Sequence, residues 1–155
     1  MFVIKLKNFL NMSKILVTGG TGLVGKHLQE KLPNAFYLSS KDCDLTNINQ
    51  VKELISSYKP DIVVHLAARV GGIQDNIKYP ADYFDDNILI NTNIVKVCKD
   101  HNVKRFIGIL STCIYPSVVK NYPMTEEDLF IGPPPPSNFS YGYAKRCLAV
   151  QIDAY

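Results

Sequence analysis

The sequence predicts an α/β fold, a doubly wound parallel sheet with helices on both faces. Short β-branched runs alternate with helical segments along the chain, a glycine-rich turn joins the first run to the first helix, and no repeat or low-complexity linker breaks the pattern. Lys14 to Thr18 reads as a buried strand, followed by the turn and by a helix from Leu23 to Lys31 that Pro33 closes. A second strand, Ala35 to Leu38, leads through polar residues to a helix from Asn47 to Tyr58. Pro60 and Asp61 then introduce the apolar strand Ile62 to Leu66. A long helix from Tyr83 to His101 precedes a strand from Arg105 to Leu110. After the proline run Pro133 to Pro136, a last helix starts near Tyr141. Right-handed crossovers would place the first strand inside the sheet and make the carboxyl ends of the strands the ligand edge.

At 155 residues, with 46% hydrophobic and 20% charged residues, the chain has apolar material for one core. We read a single domain over residues 13–155, behind an extension at 1–12 in which Met12 is an alternative start. That extension carries Lys5 and Lys7, and its apolar stretches are too short for a membrane span or a signal sequence. The net charge of +3 is spread out rather than gathered into a basic stripe, which argues against nucleic acid as a partner. Cys43, Cys98, Cys113 and Cys147 form no CxxC pair, so a reducing, cytoplasmic setting is expected. No histidine and cysteine spacing suggests a metal site, and His27 and His101 read as helix-surface residues.

The segment Thr18-Gly19-Gly20-Thr21-Gly22-Leu23-Val24-Gly25 sits where a strand passes into a helix. Lacking side chains, its glycines let the backbone approach a pyrophosphate and aim helix amides at it, as in a Rossmann-type dinucleotide site. Gly19, Gly22, Leu23, Val24 and Gly25 are the cofactor-binding candidates there. About twenty positions on, where NAD enzymes carry an acidic residue for the ribose, stands Leu38-Ser39-Ser40-Lys41. Hydroxyls and a cation suit a 2′-phosphate, which favours NADP(H), with Ser40, Lys41, Asp44 and Leu45 as candidates. Lys41 also reads as a solvated surface lysine, and Asp42 or Asp44 as a contact to the adenine edge or a cap of the next helix. Leu66, Ala67 and Ala68 end the third strand, and the small alanines would let a cofactor lie against the backbone. His65 reads as a packed strand residue, and Gly71-Gly72 as either a structural turn or part of the site.

Tyr141 and Lys145 are four residues apart and therefore neighbours on one helix face. A free tyrosine titrates near about 10; a nearby lysine and an oxidised nicotinamide would both favour its phenolate. Tyr141 could then act as the acid when hydride reaches a carbonyl, with Lys145 on the nicotinamide ribose. Ser111 or Thr112, at the end of the fourth strand, would orient the carbonyl, while Tyr143 stands in the wrong register relative to Lys145.

The segments TGGTGLVG, SSKDCDL, HLAARVGG, LSTCIYP and SNFSYGYAKR together resemble the GDP-L-fucose synthase family of extended short-chain dehydrogenases/reductases, over nearly everything from Ser13 to Tyr155. The resemblance implies NADPH-dependent epimerisation and reduction of a GDP-linked 4-keto-6-deoxy sugar. It implies a reductase triad at Ser111, Tyr141 and Lys145, and at Cys113 a thiol that exchanges protons during epimerisation; read without it, Cys113 is an ordinary buried cysteine. It also implies a sheet truncated before its last strands and before a substrate-binding portion, with the histidine partner of the cysteine beyond residue 155. A homodimer is expected by resemblance. Phe84, Ile88, Ile94 and Val95, on more than one side of the long helix, fit burial by a sheet and a second subunit, and also a core helix. Two other readings stay open: another nucleotide-sugar epimerase or dehydratase of the superfamily, and a non-catalytic dinucleotide-binding fragment.

Overall fold

The computed structural model describes residues 13–119 and 122–155, so the extension at 1–12 and the alternative start at Met12 lie outside the described residues. In chain order the elements are β1 (Ile15–Thr18), α1 (Leu23–Lys31), β2 (Phe36–Leu38), α2 (Ile48–Tyr58), β3 (Ile62–His65), α3 (Ile73–Lys78), α4 (Pro80–Asp100), β4 (Arg105–Gly108) and α5 (Phe139–Ala154). Single-turn 3-10 helices at Thr112–Ile114, Glu126–Phe130 and Pro136–Asn138 fill the stretch before α5. Two compact units result, one of residues up to Ala67 with Asn93–Ile109, the other of Ala68–Thr92 with Leu110–Tyr155.

The first unit is built on a parallel sheet in the order β2-β1-β3-β4, with β1 inside as predicted. Val17 lies opposite Tyr37 on one side and Val64 on the other, and Val64 opposite Ile107. Every residue of β1 and β3 is buried, as strands of a parallel sheet covered on both faces must be. Ile15, Val17, Ile62 and Val64 make one cluster, with Leu28, Ala35, Tyr37 and Leu66 packed against it. The edge strand β4 alternates instead, Arg105 and Ile107 exposed, Phe106 and Gly108 half-buried. His65 is fully buried, its Nδ1 2.7 Å from Thr18 Oγ1, which fits the packed strand residue expected of it.

The helix boundaries follow local chemistry. Pro33 stops α1, and the Asn47 side chain caps α2 by accepting from the amides of Asn49 at 3.0 Å and Gln50 at 3.4 Å. This corrects the capping alternative for the aspartates. Asp44 Oδ1 takes the amide and hydroxyl of Thr46, and Asp42 Oδ2 takes those of Ser39, so neither reaches the helix. The buried Asn93 amide donates to the carbonyls of Leu45 and Thr46 and so anchors the approach to α2. Asn47→Ala is expected to cost about 1 kcal/mol of stability through loss of the cap, read as a lower midpoint of thermal unfolding.

In the second unit Tyr83, Ile114, Leu129, Ala144 and Leu148 form the buried apolar set. Helix α4 starts at Pro80 rather than Tyr83, since proline at a first helical position forfeits no hydrogen bond, and it ends at Asp100 rather than His101. Its Ile94 and Val95 are buried in the first unit, whereas Phe84 and Leu89, on the part belonging to the second, are exposed. Helix α3 was not anticipated. Asn76 holds its start by donating to the carbonyls of Gly71 and Gly72, and a Cβ on Gly71 would lie 2.0 Å from the Tyr83 hydroxyl. Gly71 is thus required to be glycine by the packing of Tyr83, and Gly72 caps α3.

Candidate active site

The turn after β1 needs glycine for a reason visible in the backbone. Gly19 has φ +69, and a Cβ there would stand 2.8 Å from the Ala67 amide nitrogen. Bare backbone therefore runs against bare backbone where β1 and β3 end. Thr18 Oγ1 ties the two together by accepting from the Ala67 amide at 3.2 Å, while Leu66 donates to the Thr18 carbonyl. At the start of α1, Gly22 occupies the cap position with no side chain to satisfy the first amides. Leu23 and Val24 beside it are 79% and 57% exposed. Unsatisfied amides at a helix start, flanked by exposed apolar side chains, fit a pyrophosphate and the groups beside it. The candidates Gly19, Gly22, Leu23, Val24, Gly25, Leu66 and Ala67 all belong to this first unit; Ala68 falls in the second.

Beyond β2 the loop 39–42 is braced internally. Asp42 spends one carboxylate oxygen on Ser39, at 2.8 Å to its amide and 2.6 Å to its hydroxyl, and these bonds hold its carboxyl below the usual range. Ser40 and Lys41 are exposed, and Lys41 enters no ion pair among the described residues. Asp44 is exposed but committed to Thr46, and Leu45 is buried. A braced turn presenting a hydroxyl and an ammonium outside any ion pair among the described residues fits a phosphate monoester.

In the second unit the chemistry-bearing residues converge. Ser111 lies beyond β4, not at its end as expected, and caps the 3-10 turn Thr112–Ile114 by accepting from the Cys113 amide at 3.2 Å. Its side chain also acts on the Tyr141 phenol, favouring the phenolate. Of the two hydroxyls considered, Ser111 is the one that acts on the phenol, while Thr112 is exposed. Lys145, one helical turn further along α5, is only 2% exposed, and burial pushes its pKa down to about 8. The expected lowering of the Tyr141 pKa by this lysine is not what the structure shows. Burial raises the phenol above its ordinary value, Cys113 pushes the same way, and only Ser111 opposes them. Cys113 is half-buried rather than core. Tyr143 packs edge-on to Phe139, ring centroids 4.7 Å apart, in keeping with its different register.

Gly142 and Arg146 passed unnoticed in the sequence. Both face the Cys113 turn: a Cβ on Gly142 would lie 2.7 Å from the Cys113 carbonyl oxygen, and Arg146 Nε donates to the Ile114 carbonyl at 2.6 Å. Their own i, i+4 spacing, one position out of step with Tyr141 and Lys145, was the available signal. Among the described residues no group of three His, Cys, Asp or Glu could hold a metal, and no helix is long and apolar enough to cross a membrane.

A parallel sheet opening on a glycine turn, followed by a helix that carries Tyr141 and Lys145, puts the chain in the Rossmann-like class of α/β proteins. Within that class it belongs to the NAD dependent epimerase/dehydratase family, whose sequence model matches residues 15–155. It is 44% identical over 151 residues to a probable GDP-L-fucose synthase of Drosophila melanogaster, covering 93% of this chain and 47% of that protein. It is 42% identical over 148 residues to the GDP-L-fucose synthase of Dictyostelium discoideum, covering 91% and 46%. Among solved structures, the GDP-L-fucose synthetase from Naegleria fowleri bound to NADP superposes with a TM-score of 0.82 at 43% identity, over 93% of this chain and 48% of that one. The chain thus spans about half the length of the relatives it matches.

Proposed function

We propose that this chain is the cofactor-binding and proton-donating part of an NADPH-dependent enzyme that epimerises and reduces GDP-4-keto-6-deoxy-D-mannose to GDP-L-fucose. The carrying observation is Tyr141 one helical turn before the buried Lys145, with Ser111 acting on the phenol, in a chain 42–44% identical to GDP-L-fucose synthases. When bound, NADPH would supply the hydride to C4 of the sugar. The first unit would hold the pyrophosphate at the start of α1 and the 2′-phosphate at Ser40 and Lys41. In the second, Ser111 would orient the carbonyl, Tyr141 would give its proton to the oxygen, and Lys145 would hold the nicotinamide ribose through its hydroxyls. Cys113 would exchange protons at C3 and C5, which are acidic because they lie next to the ketone. We further propose a homodimer and a cytoplasmic setting, with a nucleotide sugar as the small-molecule partner.

The test is NADPH oxidation by the protein at its full natural length. It should depend on GDP-4-keto-6-deoxymannose; equal rates with unrelated ketones would sink the substrate assignment. Cys113→Ala tests the part of the thiol: loss of proton exchange at C3 and C5 supports our reading, and unchanged exchange favours another nucleotide-sugar epimerase or dehydratase of the superfamily.

Lys41→Ala should weaken NADPH by about 10-fold or more, as loss of one hydrogen bond to a charged group implies, and leave NADH nearly unaffected. Equal losses for both cofactors, measured by fluorescence titration, would contradict the 2′-phosphate role. Lys145 gives a pH signature. With a folded-state pKa of about 8, below the ordinary lysine value, the unfolded chain binds the extra proton between the two, so stability should rise as pH climbs through that window. A ribose that prefers the ammonium form should raise this pKa. NADPH binding near pH 8–9 is then expected to take up a proton, detectable by calorimetry in buffers of different ionisation enthalpy.

A further inference from the structure

We propose that Arg146 is a positioning residue for Cys113: from inside α5 its guanidinium pins the far end of the turn that carries the thiol. This rests on reading Cys113 as the proton-exchanging residue. Helix α5 presents two adjacent stripes, each of residues four apart and so on one face. One is Tyr141 with Lys145; the other is Gly142 with Arg146, and it seats the turn Thr112–Ile114. The turn is fastened at both ends. At its start the Cys113 amide donates to Ser111 Oγ. At its close Arg146 Nε donates to the Ile114 carbonyl at 2.6 Å. Between them the Cys113 carbonyl lies so near Gly142 that any Cβ there would stand 2.7 Å away.

The cost of Arg146 argues that stability is not what it supplies. The residue is 5% exposed, burial lowers its pKa, and Nη2 is buried without a hydrogen-bond partner. A methionine could fill similar space without desolvating a charge, and buried ionic groups are weak sources of stability. A planar guanidinium offers direction instead. The rings of Tyr143 and Phe130 lie 5.4 and 5.7 Å from it and flank it, and its Nε–H donates to the turn.

The four cysteines supply the test. Cys43 and Cys98 are buried in the first unit and report its opening, Cys147 is exposed, and Cys113 reports the turn. Alkylation with iodoacetamide, followed cysteine by cysteine by mass spectrometry, needs neither substrate nor cofactor. In Arg146→Met, Cys113 should react about 10-fold faster, the change that losing one charge-assisted hydrogen bond implies, while Cys43 and Cys98 stay protected. Arg146→Lys keeps a donor and the charge and should restore most of the protection. An unchanged Cys113 rate in Arg146→Met would overturn the proposal. So would joint exposure of Cys43, Cys98 and Cys113 in both variants, since Arg146 would then be holding the fold rather than the turn. In the full-length enzyme, Arg146→Met should slow solvent-proton exchange at C3 and C5 more than hydride transfer to an already epimerised ketone. If Cys113→Ala leaves that exchange intact, the reading of Cys113 fails, while the alkylation result still decides whether Arg146 positions the turn.

Discussion

Tyr141→Phe is expected to lower the rate of C4 reduction by about 10²–10⁴-fold, the usual worth of a positioned general acid, and to leave NADPH affinity unchanged. The substitution removes one oxygen and keeps the ring, so the packing around a half-buried phenol survives. On the proposed mechanism, what it takes away is the proton for the nascent alkoxide. Burial keeps this phenol above its ordinary pKa, so at neutral pH it is protonated and ready to donate. Single-turnover measurement with saturating NADPH separates the chemical step from binding. A variant that binds NADPH and reduces the sugar at the normal rate would contradict the acid role.

Gly19→Val is expected to have the second large effect. A β-branched residue at φ +69 is strained by itself, and its Cβ would meet the Ala67 amide at 2.8 Å and the Leu66 carbonyl carbon at 3.0 Å. Either β1 and β3 separate at their carboxyl ends or the turn moves away from them. Strain and overpacking together suggest a loss on the order of 3 kcal/mol, measurable by denaturant unfolding. NADPH binding should fall below detection at concentrations that saturate the parent, and Gly19→Ala should lose less of both. Normal binding by a folded Gly19→Val protein would mean that the turn is not where the nucleotide sits.

The alternation of strands and helices was legible because glycine and proline punctuate it: Gly22 before α1, Pro33 after it, Pro60 before β3. Strand ends were read too long at Leu66 and Leu110, since the apolar run continues past the last ladder bond. Helix α3 escaped because six residues between Gly71-Gly72 and Tyr79-Pro80 are too short for periodicity to show, and its supports come from Asn76 and from Tyr83 packed against Gly71. The candidate site was visible only as spacing. Tyr141 and Lys145 are local neighbours, but Ser111 acts on Tyr141 across thirty residues of chain, which depends on the tertiary fold. Burial of Lys145 and Arg146 was invisible for the same reason, because adjacent cations on a helix read as a solvated face. So the direction of the Tyr141 shift could not be foreseen from charge alone: burial is its largest cause.

Isotope transfer from the cofactor is the most direct test of what Tyr141, Ser111 and Lys145 do together. With NADPH deuterated at the nicotinamide C4 position that donates hydride, the full-length protein should deliver deuterium to C4 of the GDP-linked sugar. In heavy water with ordinary NADPH, label should enter at C3 and C5 instead. A product unlabelled at C4 while NADPH is consumed would contradict the account.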